Sequence, residues 1–140
     1  MKLAIVGVSH KTAPVAVRES LAFREEIVPA ALGELRAQSG VREAMILSTC
    51  NRVEITVASE DESDLDALVD GFLASQKGID AAALGPQLYR HEGRQAIHHL
   101  FRVASSLDSM VVGEPQILGQ LKSAYGAAKD CGAICGWLDS

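Results

Sequence analysis

The sequence predicts an α+β fold, a ferredoxin-like split βαβ sheet with helices on one face and a C-terminal helical appendage. Strand-type and helix-type hydrophobic periods alternate along the chain in the order β-α-β-β-α-β-α-α. The 140 residues, of which 48% are hydrophobic and 22% charged, are enough for one domain with a sizeable core.

The amino-terminal part of the chain predicts one strand and two helices. An apolar, β-branched run at residues 3–9 is typical of a strand. Pro14 suits the first turn of a short helix that follows, because backbone donors there have no intrahelical partner. A second helix is predicted over residues 26–38, where apolar residues recur at helical spacing and Pro29 falls in the first turn.

Two strands are predicted next, at residues 43–47 and 53–57, and a polar stretch at residues 48–52 connects them. A connection this short allows only a tight turn. Apolar and polar residues alternate in the second strand, so its two faces are expected to differ. Val53, Ile55 and Val57 occupy one face, and Glu54 and Thr56 occupy the other.

The remaining pattern predicts mostly helices. A capping-box-like start at residues 63–66 opens a strongly amphipathic helix. A short alanine-rich turn at residues 80–84 then leads to an edge strand at residues 87–90. The C-terminal appendage consists of two helices, predicted over residues 93–107 and 114–129.

Composition and charge exclude some classes of protein function. The chain has 13 Lys and Arg against 18 Asp and Glu, and its net charge of −5 argues against a general nucleic-acid binder. Recognition of one particular RNA stays open. Three cysteines are an odd number and indicate free thiols in a reducing compartment. No apolar run suits a membrane span and no secretion signal is recognisable, so we expect a cytoplasmic protein.

Cys50 is the first candidate for chemistry, because it lies in the polar turn rather than in an apolar run. A cation beside a thiol favours the nucleophilic thiolate, and Arg52 is two residues away. The alternative is a surface thiol with no chemical role. Position alone does not separate these two interpretations.

The first appendage helix contains two adjacent histidines, His98 and His99. At about 100° per residue, His99 points nearly opposite the apolar stripe of this helix, so it is expected to face water or a cleft. A solvated histidine and a functional one both fit the spacing. The apolar stripe consists of Ile97, Leu100, Phe101 and Ala104.

Three further patterns were weighed for binding. Gln116 and Gln120 share one face of the last predicted helix, where they either line a polar pocket or lie in solvent. Cys131 and Cys135 are four residues apart, but the histidines are too scattered to complete a zinc site, so no metal is predicted. The chain contains no G-x-G-x-x-G sequence, and no dinucleotide site is predicted in it.

Four blocks of the sequence are recognisable when they are taken together. They are GVSHKTAP at residues 7–14, LSTCNRVE at 47–54, HLFRVAS at 99–105 and LDSMVVGEPQILGQ at 107–120. In this order they resemble the glutamyl-tRNA reductase family over nearly the entire chain, with Ser106 as a departure where the family has glycine. The resemblance implies that residues 1–140 are a single catalytic domain that binds glutamyl-tRNA. It also implies that the family's NADPH-binding and dimerisation domains are absent from this chain.

The resemblance also implies a reaction, the reduction of glutamyl-tRNA by NADPH to glutamate-1-semialdehyde, which is the first step of tetrapyrrole synthesis. In this reaction Cys50 is the nucleophile that attacks the ester and forms a thioester. His99 is the second catalytic residue, acting as an acid/base or positioning the tRNA end. Arg52 would pair with the side-chain carboxylate of the substrate and reject glutamine. The substrate-binding positions implied are Thr49, Asn51, Arg52, Ser109, Glu114, Pro115, Gln116 and Gln120.

The implied partners are glutamyl-tRNA, NADPH in the full-length enzyme, a second subunit in a homodimer and glutamate-1-semialdehyde aminomutase, with no metal and no membrane. These 140 residues alone are expected to lack hydride transfer. Two alternatives belong to other classes. A non-catalytic module for the tRNA acceptor end would show no turnover linked to Cys50, and a thiol esterase would act on simple esters without tRNA.

Overall fold

The computed structural model describes residues 2–38, 40–59 and 64–104. Within these ranges the chain forms four strands and five helices, and a 3₁₀ turn over Gly85–Gln87 precedes the last strand. In chain order they are β1 (Lys2–Ser9), α1 (Val15–Leu21), α2 (Val28–Ala37), β2 (Val41–Ser48), β3 (Arg52–Ser59), α3 (Leu65–Lys77), α4 (Ala81–Leu84), β4 (Tyr89–Glu92) and α5 (Arg94–Ala104).

The elements predicted within these ranges all form, with small shifts of their ends. The edge strand predicted at residues 87–90 is Tyr89–Glu92 instead, because the 3₁₀ turn delays its start. The alanine-rich turn forms the short helix α4, which Asp80 caps. The helix predicted over residues 114–129 lies outside the described residues. None of the helices in the described ranges is long and apolar enough to cross a membrane.

The four strands form one antiparallel sheet in the order β2-β3-β1-β4. Since β1 and β2 both run antiparallel to β3, they run in the same direction, and α1 and α2 connect them. Helices α3 and α4 connect β3 to the edge strand β4. The architecture is therefore a mixed α/β fold built on a four-stranded antiparallel sheet.

Helices α2 and α3 show how local sequence sets where an element begins and ends. The Asp64 side chain accepts a hydrogen bond from the Ala67 amide at 3.1 Å, which satisfies one of the free donors at the start of α3. Gly78 ends α3 with a φ of 64°, a left-handed conformation that glycine adopts at little cost. Pro29 lies in the first turn of α2, as predicted.

Both faces of the sheet are covered, and β1 shows how. Its even-numbered residues pack into the larger core with α1, α2 and α3, whereas its odd-numbered residues face α5. The even set is Ala4, Val6 and Val8, and the odd set is Leu3 and Ile5, which pack with Ala96 of α5. Within the described residues the sheet therefore lies between α1, α2 and α3 on one face and α5 on the other.

The alternation predicted for β3 is confirmed. Val53, Ile55 and Val57 belong to the larger core, whereas Glu54 faces α5. The polar face is nevertheless shielded from solvent, since Glu54 and Thr56 are each only 2% exposed. Burying these groups without partners would be costly, so their contacts matter for the fold.

The buried face predicted for α5 is wrong. Ile97 and Phe101, which were expected to face the core, are 42% and 69% exposed, whereas His99 is only 4% exposed. Ala96 and Val103 are buried on the same side as His99. Of the predicted stripe, Leu100 is half-buried and packs against the core. The physical reason for the rotation is that the sheet presents a carboxylate to this helix, so the helix turns His99 inward and Ile97 and Phe101 outward.

Gly7 lies between two partners in the sheet, Glu54 on β3 and Tyr89 on β4. A Cβ at this position would collide with the backbone oxygen of Val53 and lie 3.0 Å from Glu54 Cγ. We expect Gly7→Ala to lower the free energy of unfolding by about 1–3 kcal/mol, as overpacking of a core does. Chemical denaturation measures this change.

Gly33→Ala is the matched control for this substitution. Gly33 lies on the exposed side of α2, and an added Cβ meets nothing within 4 Å. This variant should gain about 0.5–1 kcal/mol, because alanine is the better helix former. A Gly7→Ala chain as stable as the wild type would contradict the close packing at the sheet centre.

Candidate functional site

The turn that carries Cys50 is held by its neighbour Thr49. The Thr49 amide donates to the Arg52 carbonyl at 2.8 Å, and the Thr49 hydroxyl accepts from the amides of Asn51 and Arg52, both at 3.1 Å. A threonine hydroxyl that bonds to following amides favours such a turn. Cys50 lies at the tip of this turn as an exposed, free thiol.

A second loop packs beside this turn and fixes its position. The His10 amide donates to the Asn51 carbonyl at 2.8 Å, which ties the segment after β1 to the cysteine turn. That segment is itself folded back, since the amides of Thr12 and Ala13 donate to the Ser9 carbonyl at 3.0 and 2.9 Å. Two of the four recognisable sequence blocks therefore meet where the central strand β1 ends and the central strand β3 begins.

Behind the cysteine turn lies a buried polar cluster centred on Glu54. One carboxylate oxygen, Oε2, accepts from Arg52 Nη1 at 3.2 Å and lies 2.5 Å from His99 Nε2. The Tyr89 hydroxyl donates to the same oxygen. Arg52, Glu54 and His99 are 1%, 2% and 4% exposed. We call these four side chains the Glu54 cluster; it joins β3, β4 and α5.

The charge states within the Glu54 cluster follow from its geometry. Burial by itself raises the pKa of Glu54, but the hydrogen bond and charge of His99, with Tyr89 and Arg52, outweigh it and hold this pKa below its ordinary 4.5. Burial raises the pKa of the Tyr89 hydroxyl, and the neighbouring carboxylate raises it further. At neutral pH Glu54 is therefore an ionised acceptor and Tyr89 a neutral donor.

The imidazole ring of His99 is held between other rings. His91 stacks on it, with ring centroids 4.4 Å apart and an interplanar angle of 25°. The Tyr89 ring lies 5.3 Å away at 53°. Because Glu54 engages Nε2 and two rings flank the imidazole, both the position and the orientation of His99 are fixed. His99 also borders a groove of about 500 Å³ that is lined by residues of α5 and by His91 of β4.

The structure brings some of the predicted site residues together. Thr49, Cys50 and Asn51 form the turn, and Arg52 follows them with its guanidinium on Glu54. His99 contacts the same carboxylate, so Arg52 and His99 are linked through a residue that was not predicted. The remaining predicted positions lie outside the described residues: Ser109, Glu114, Pro115, Gln116 and Gln120.

Glu54 and Tyr89 are the two cluster residues that sequence reasoning missed. Glu54 was assigned to a polar face, and polar faces of antiparallel sheets are commonly solvated. A signal was nevertheless present, because the adjacent run at residues 3–9 is apolar at nearly every position. A strand without polar alternation is buried on both faces, so a polar residue on its neighbour must be buried as well.

Metal binding finds no support in the described ranges, which contain no group of three or more His, Cys, Asp or Glu able to hold an ion. The Glu54 cluster is instead a set of hydrogen-bond donors around one acceptor. Such an arrangement can orient an imidazole and keep a carboxylate ionised, and both are functions of acid/base sites.

The Glu54 cluster predicts a specific pH dependence of stability. Because the pKa of Glu54 is depressed, its stabilising contribution is complete above pH 4.5 and is lost as the pH falls toward the folded-state value. At pH 7 Glu54→Gln should cost about 3 kcal/mol or more, since it removes one partner of the buried Arg52–Glu54 ion pair. The unfolding free energies of variant and wild type should converge as the pH is lowered below 4.5.

Glu26→Gln is the control, because it removes the carboxylate of an exposed pair with Arg24 at 3.8 Å. Such a pair contributes little, so this variant should follow the wild-type curve at every pH. Parallel curves for wild type and Glu54→Gln from pH 7 to pH 3 would show that the Glu54 carboxylate is not the group that titrates.

Comparison with known proteins places the chain in a family. The family model described as glutamyl-tRNAGlu reductase, N-terminal domain, matches residues 6–140. The chain is 72% identical over 139 residues to a glutamyl-tRNA reductase of Solibacter usitatus, covering 99% of this chain and 33% of the relative. It is 54% identical over 129 residues to a glutamyl-tRNA reductase of Syntrophotalea carbinolica, covering 92% of this chain and 29% of the relative.

The fold agrees with a solved structure of a relative. Glutamyl-tRNA reductase from Methanopyrus kandleri matches with a TM-score of 0.74 and 31% identity over 98% of this chain and 30% of that chain. The chain thus spans about a third of the length of the relatives it matches. Since the family model covers all but the first five residues, the chain belongs to the glutamyl-tRNA reductase family, where it matches the N-terminal domain.

Proposed function

We propose that this chain is the catalytic domain of a glutamyl-tRNA reductase, in which Cys50 accepts the glutamyl group from tRNA. The observation that carries the proposal is the position of an exposed free thiol on a hydrogen-bonded turn. Two residues after it, the buried Arg52 binds the Glu54 carboxylate that also contacts His99. An aminoacyl ester is an activated acyl donor, and a thiolate is a suitable nucleophile for it.

The acyl transfer has a simple atomic balance. The Cys50 sulfur forms a bond to the ester carbonyl carbon, the bond from that carbon to the ribose oxygen breaks, and the ribose oxygen leaves with a proton. The products are a glutamyl thioester on Cys50 and free tRNA. In the full-length enzyme NADPH would supply the hydride that turns this thioester into glutamate-1-semialdehyde, and no NADPH site is assigned to this chain.

His99 is the group that we assign to the proton transfer in this step. Its Nε2 lies 2.5 Å from Oε2 of the ionised Glu54, and this contact fixes the orientation of the imidazole ring. A carboxylate that holds one imidazole nitrogen fixes the tautomer and the direction of the other. In this proposal Glu54 is a positioning residue, which touches no reacting atom and acts through His99.

For Arg52 we keep the predicted role of binding the substrate carboxylate, and the structure adds a contact with Glu54. Its Nη1 supplies one of five guanidinium N–H donors to Glu54. The family resemblance implies that Arg52 also pairs with the side-chain carboxylate of the substrate, which would reject glutamine. Thr49 and Asn51 would border the glutamyl group from the turn, with the predicted residues from 109 to 120 completing the site.

The proposals on pathway, location, assembly and partner rest on the family resemblance. We place the reaction at the start of tetrapyrrole synthesis in the cytoplasm, with a homodimer as the full-length assembly and glutamate-1-semialdehyde aminomutase as a partner. We also propose that the sheet is a ferredoxin-like split βαβ arrangement. Its support is that β1 and β2 run in the same direction with β3 between them.

The role of Cys50 is tested with glutamyl-tRNA and the 140-residue chain in the absence of NADPH. The wild type should form a glutamyl adduct detectable by mass spectrometry and slowly release free glutamate, because water replaces hydride at the thioester. Cys50→Ser should show neither product above background.

The matched control is Cys131→Ser, which removes a different thiol of the chain and should leave the adduct at the wild-type level. Equal glutamate release by wild type and Cys50→Ser would exclude the covalent role. Binding of tRNA without any adduct would favour a non-catalytic binding module, and turnover of simple esters in preference to glutamyl-tRNA would favour a thiol esterase.

The coupling of Glu54 to His99 is tested by a double-mutant cycle on the rate of adduct formation. Glu54→Gln and His99→Gln should each slow the reaction by about 10²-fold, the lower range for acid–base assistance. In the His99→Gln background, Glu54→Gln should have no further effect, because residues that act as a unit are not additive.

Glu43→Gln is the control for this cycle, since Glu43 is also fully buried in the sheet but lies on β2. Its effect should be the same in both backgrounds. Rates are compared at a temperature where circular dichroism shows every variant folded. Additive effects of Glu54→Gln and His99→Gln would remove the positioning role.

A further inference from the structure

The groove bordered by His99 is lined by cationic and polar side chains. Within the described residues its lining contains no Asp or Glu, although the whole chain has five more acidic than basic residues. The lining residues are His91, Arg94, Gln95, His98, His99 and Arg102. A local concentration of positive charge on an acidic chain therefore occurs beside the proposed catalytic histidine.

Basic side chains of the groove form a regular row along α5. Arg94, His98 and Arg102 are spaced four residues apart, so they share one helix face at steps of about 6 Å along the axis. The three side chains are exposed. A row of evenly spaced donors matches a chain of repeating anionic groups better than it matches a single small anion.

Strand alternation places Asp66 and Asp70 away from this row. In β4 the odd-numbered Tyr89 and His91 face α5, whereas the even-numbered Arg90 lies against α3. There Arg90 pairs with Asp66 at 3.8 Å and Asp70 at 2.9 Å. On the α5 face the carboxylate of Glu54 is buried in the Glu54 cluster, so it does not line the groove.

An exposed aromatic ring lies next to this row of basic side chains. Phe101 is 69% exposed and follows His98 by three residues, which puts it on the same outward side of α5. Aromatic rings beside cations are the usual means of binding single-stranded RNA, because unpaired bases stack on the rings while cations hold the phosphates.

The groove also leads toward the thiol. Helix α5 starts at the Leu3 end of β1, where the Gly93 amide donates to the Leu3 carbonyl at 2.9 Å. About one and a half helical turns further along α5, His99 contacts Glu54. The register partner of Glu54 on β1 is Gly7, which is near the Ser9 end of that strand. The helix axis thus runs toward the Ser9 end of β1, and this is the end of the sheet that carries the cysteine turn.

We propose that this groove binds the phosphate backbone at the acceptor end of the carrier RNA, with Phe101 stacking on an unpaired base. The inference rests on the proposed function and adds to it the surface that delivers the ester to Cys50. The guanidinium groups of Arg94 and Arg102 would hold phosphate oxygens through paired hydrogen bonds. Recognition of this kind follows charge and shape rather than base sequence.

The test uses deacylated tRNA, which cannot transfer an acyl group, so binding is measured separately from chemistry. Arg94→Gln combined with Arg102→Gln should weaken binding to the 140-residue chain by about 10²-fold, roughly tenfold for each lost charge-assisted contact. The slope of log K against log salt should fall by about two, because two phosphate contacts are lost.

Arg24→Gln combined with Arg36→Gln is the matched control. It removes the same charge from exposed positions near α2, on the opposite side of the sheet, and should leave both affinity and salt slope unchanged. Phe101→Ala should weaken binding about tenfold without changing the salt slope, because stacking involves no charge. An unrelated tRNA should compete equally well, and inorganic phosphate should not compete at the same phosphate concentration.

Wild-type affinity in the Arg94→Gln, Arg102→Gln variant would overturn the proposal. Competition by inorganic phosphate would overturn it in favour of a small-anion site. If tRNA binding depends on the groove but Cys50 acquires no glutamyl group, the proposed function fails while the groove assignment stands. If Cys50 is acylated and the groove variants bind normally, the groove assignment alone fails.

Discussion

The buried carboxylate of Glu54 is the interaction on which the arrangement of this chain depends. An ionised group only 2% exposed is stable only with donors around it, and three side chains supply them to a single oxygen. Those donors come from two strands and a helix, so one charge sets the position of three elements. The position of α5 follows from this polar contact more than from its apolar residues.

The sheet makes room for this charge at one position. Gly7 lies between Glu54 and Tyr89 in the pairing register, and the absence of a side chain there leaves space beside the Glu54 carboxylate. On the opposite face, the even-numbered residues of β1 belong to the larger apolar core. One sheet therefore supports two environments: an apolar layer under α1, α2 and α3 that stabilises the fold, and a layer under α5 where the Glu54 cluster lies beside a small apolar cluster.

The limits of prediction from this sequence have physical causes. Periodicity and turn chemistry are local, so the strands, the helices and the exposed cysteine turn followed from them. The burial of Glu54 and the inward position of His99 depend on which elements meet in three dimensions. Helical periodicity alone places a histidine opposite the apolar stripe, and therefore predicts that it faces water or a cleft. Ile97 and Phe101 were assigned to the core for the same reason, since their exposure reflects the requirements of a neighbouring residue and not their own hydrophobicity.

The turn that presents Cys50 separates reactivity from architecture. The Thr49 hydroxyl and backbone groups form the hydrogen bonds described for this turn, and none of these bonds involves the sulfur atom. The backbone conformation of the turn therefore does not depend on which nucleophilic atom the side chain at position 50 carries. Evolution, or a protein engineer, is able to exchange the reactive atom at this position for oxygen or selenium while the scaffold that aims it stays the same.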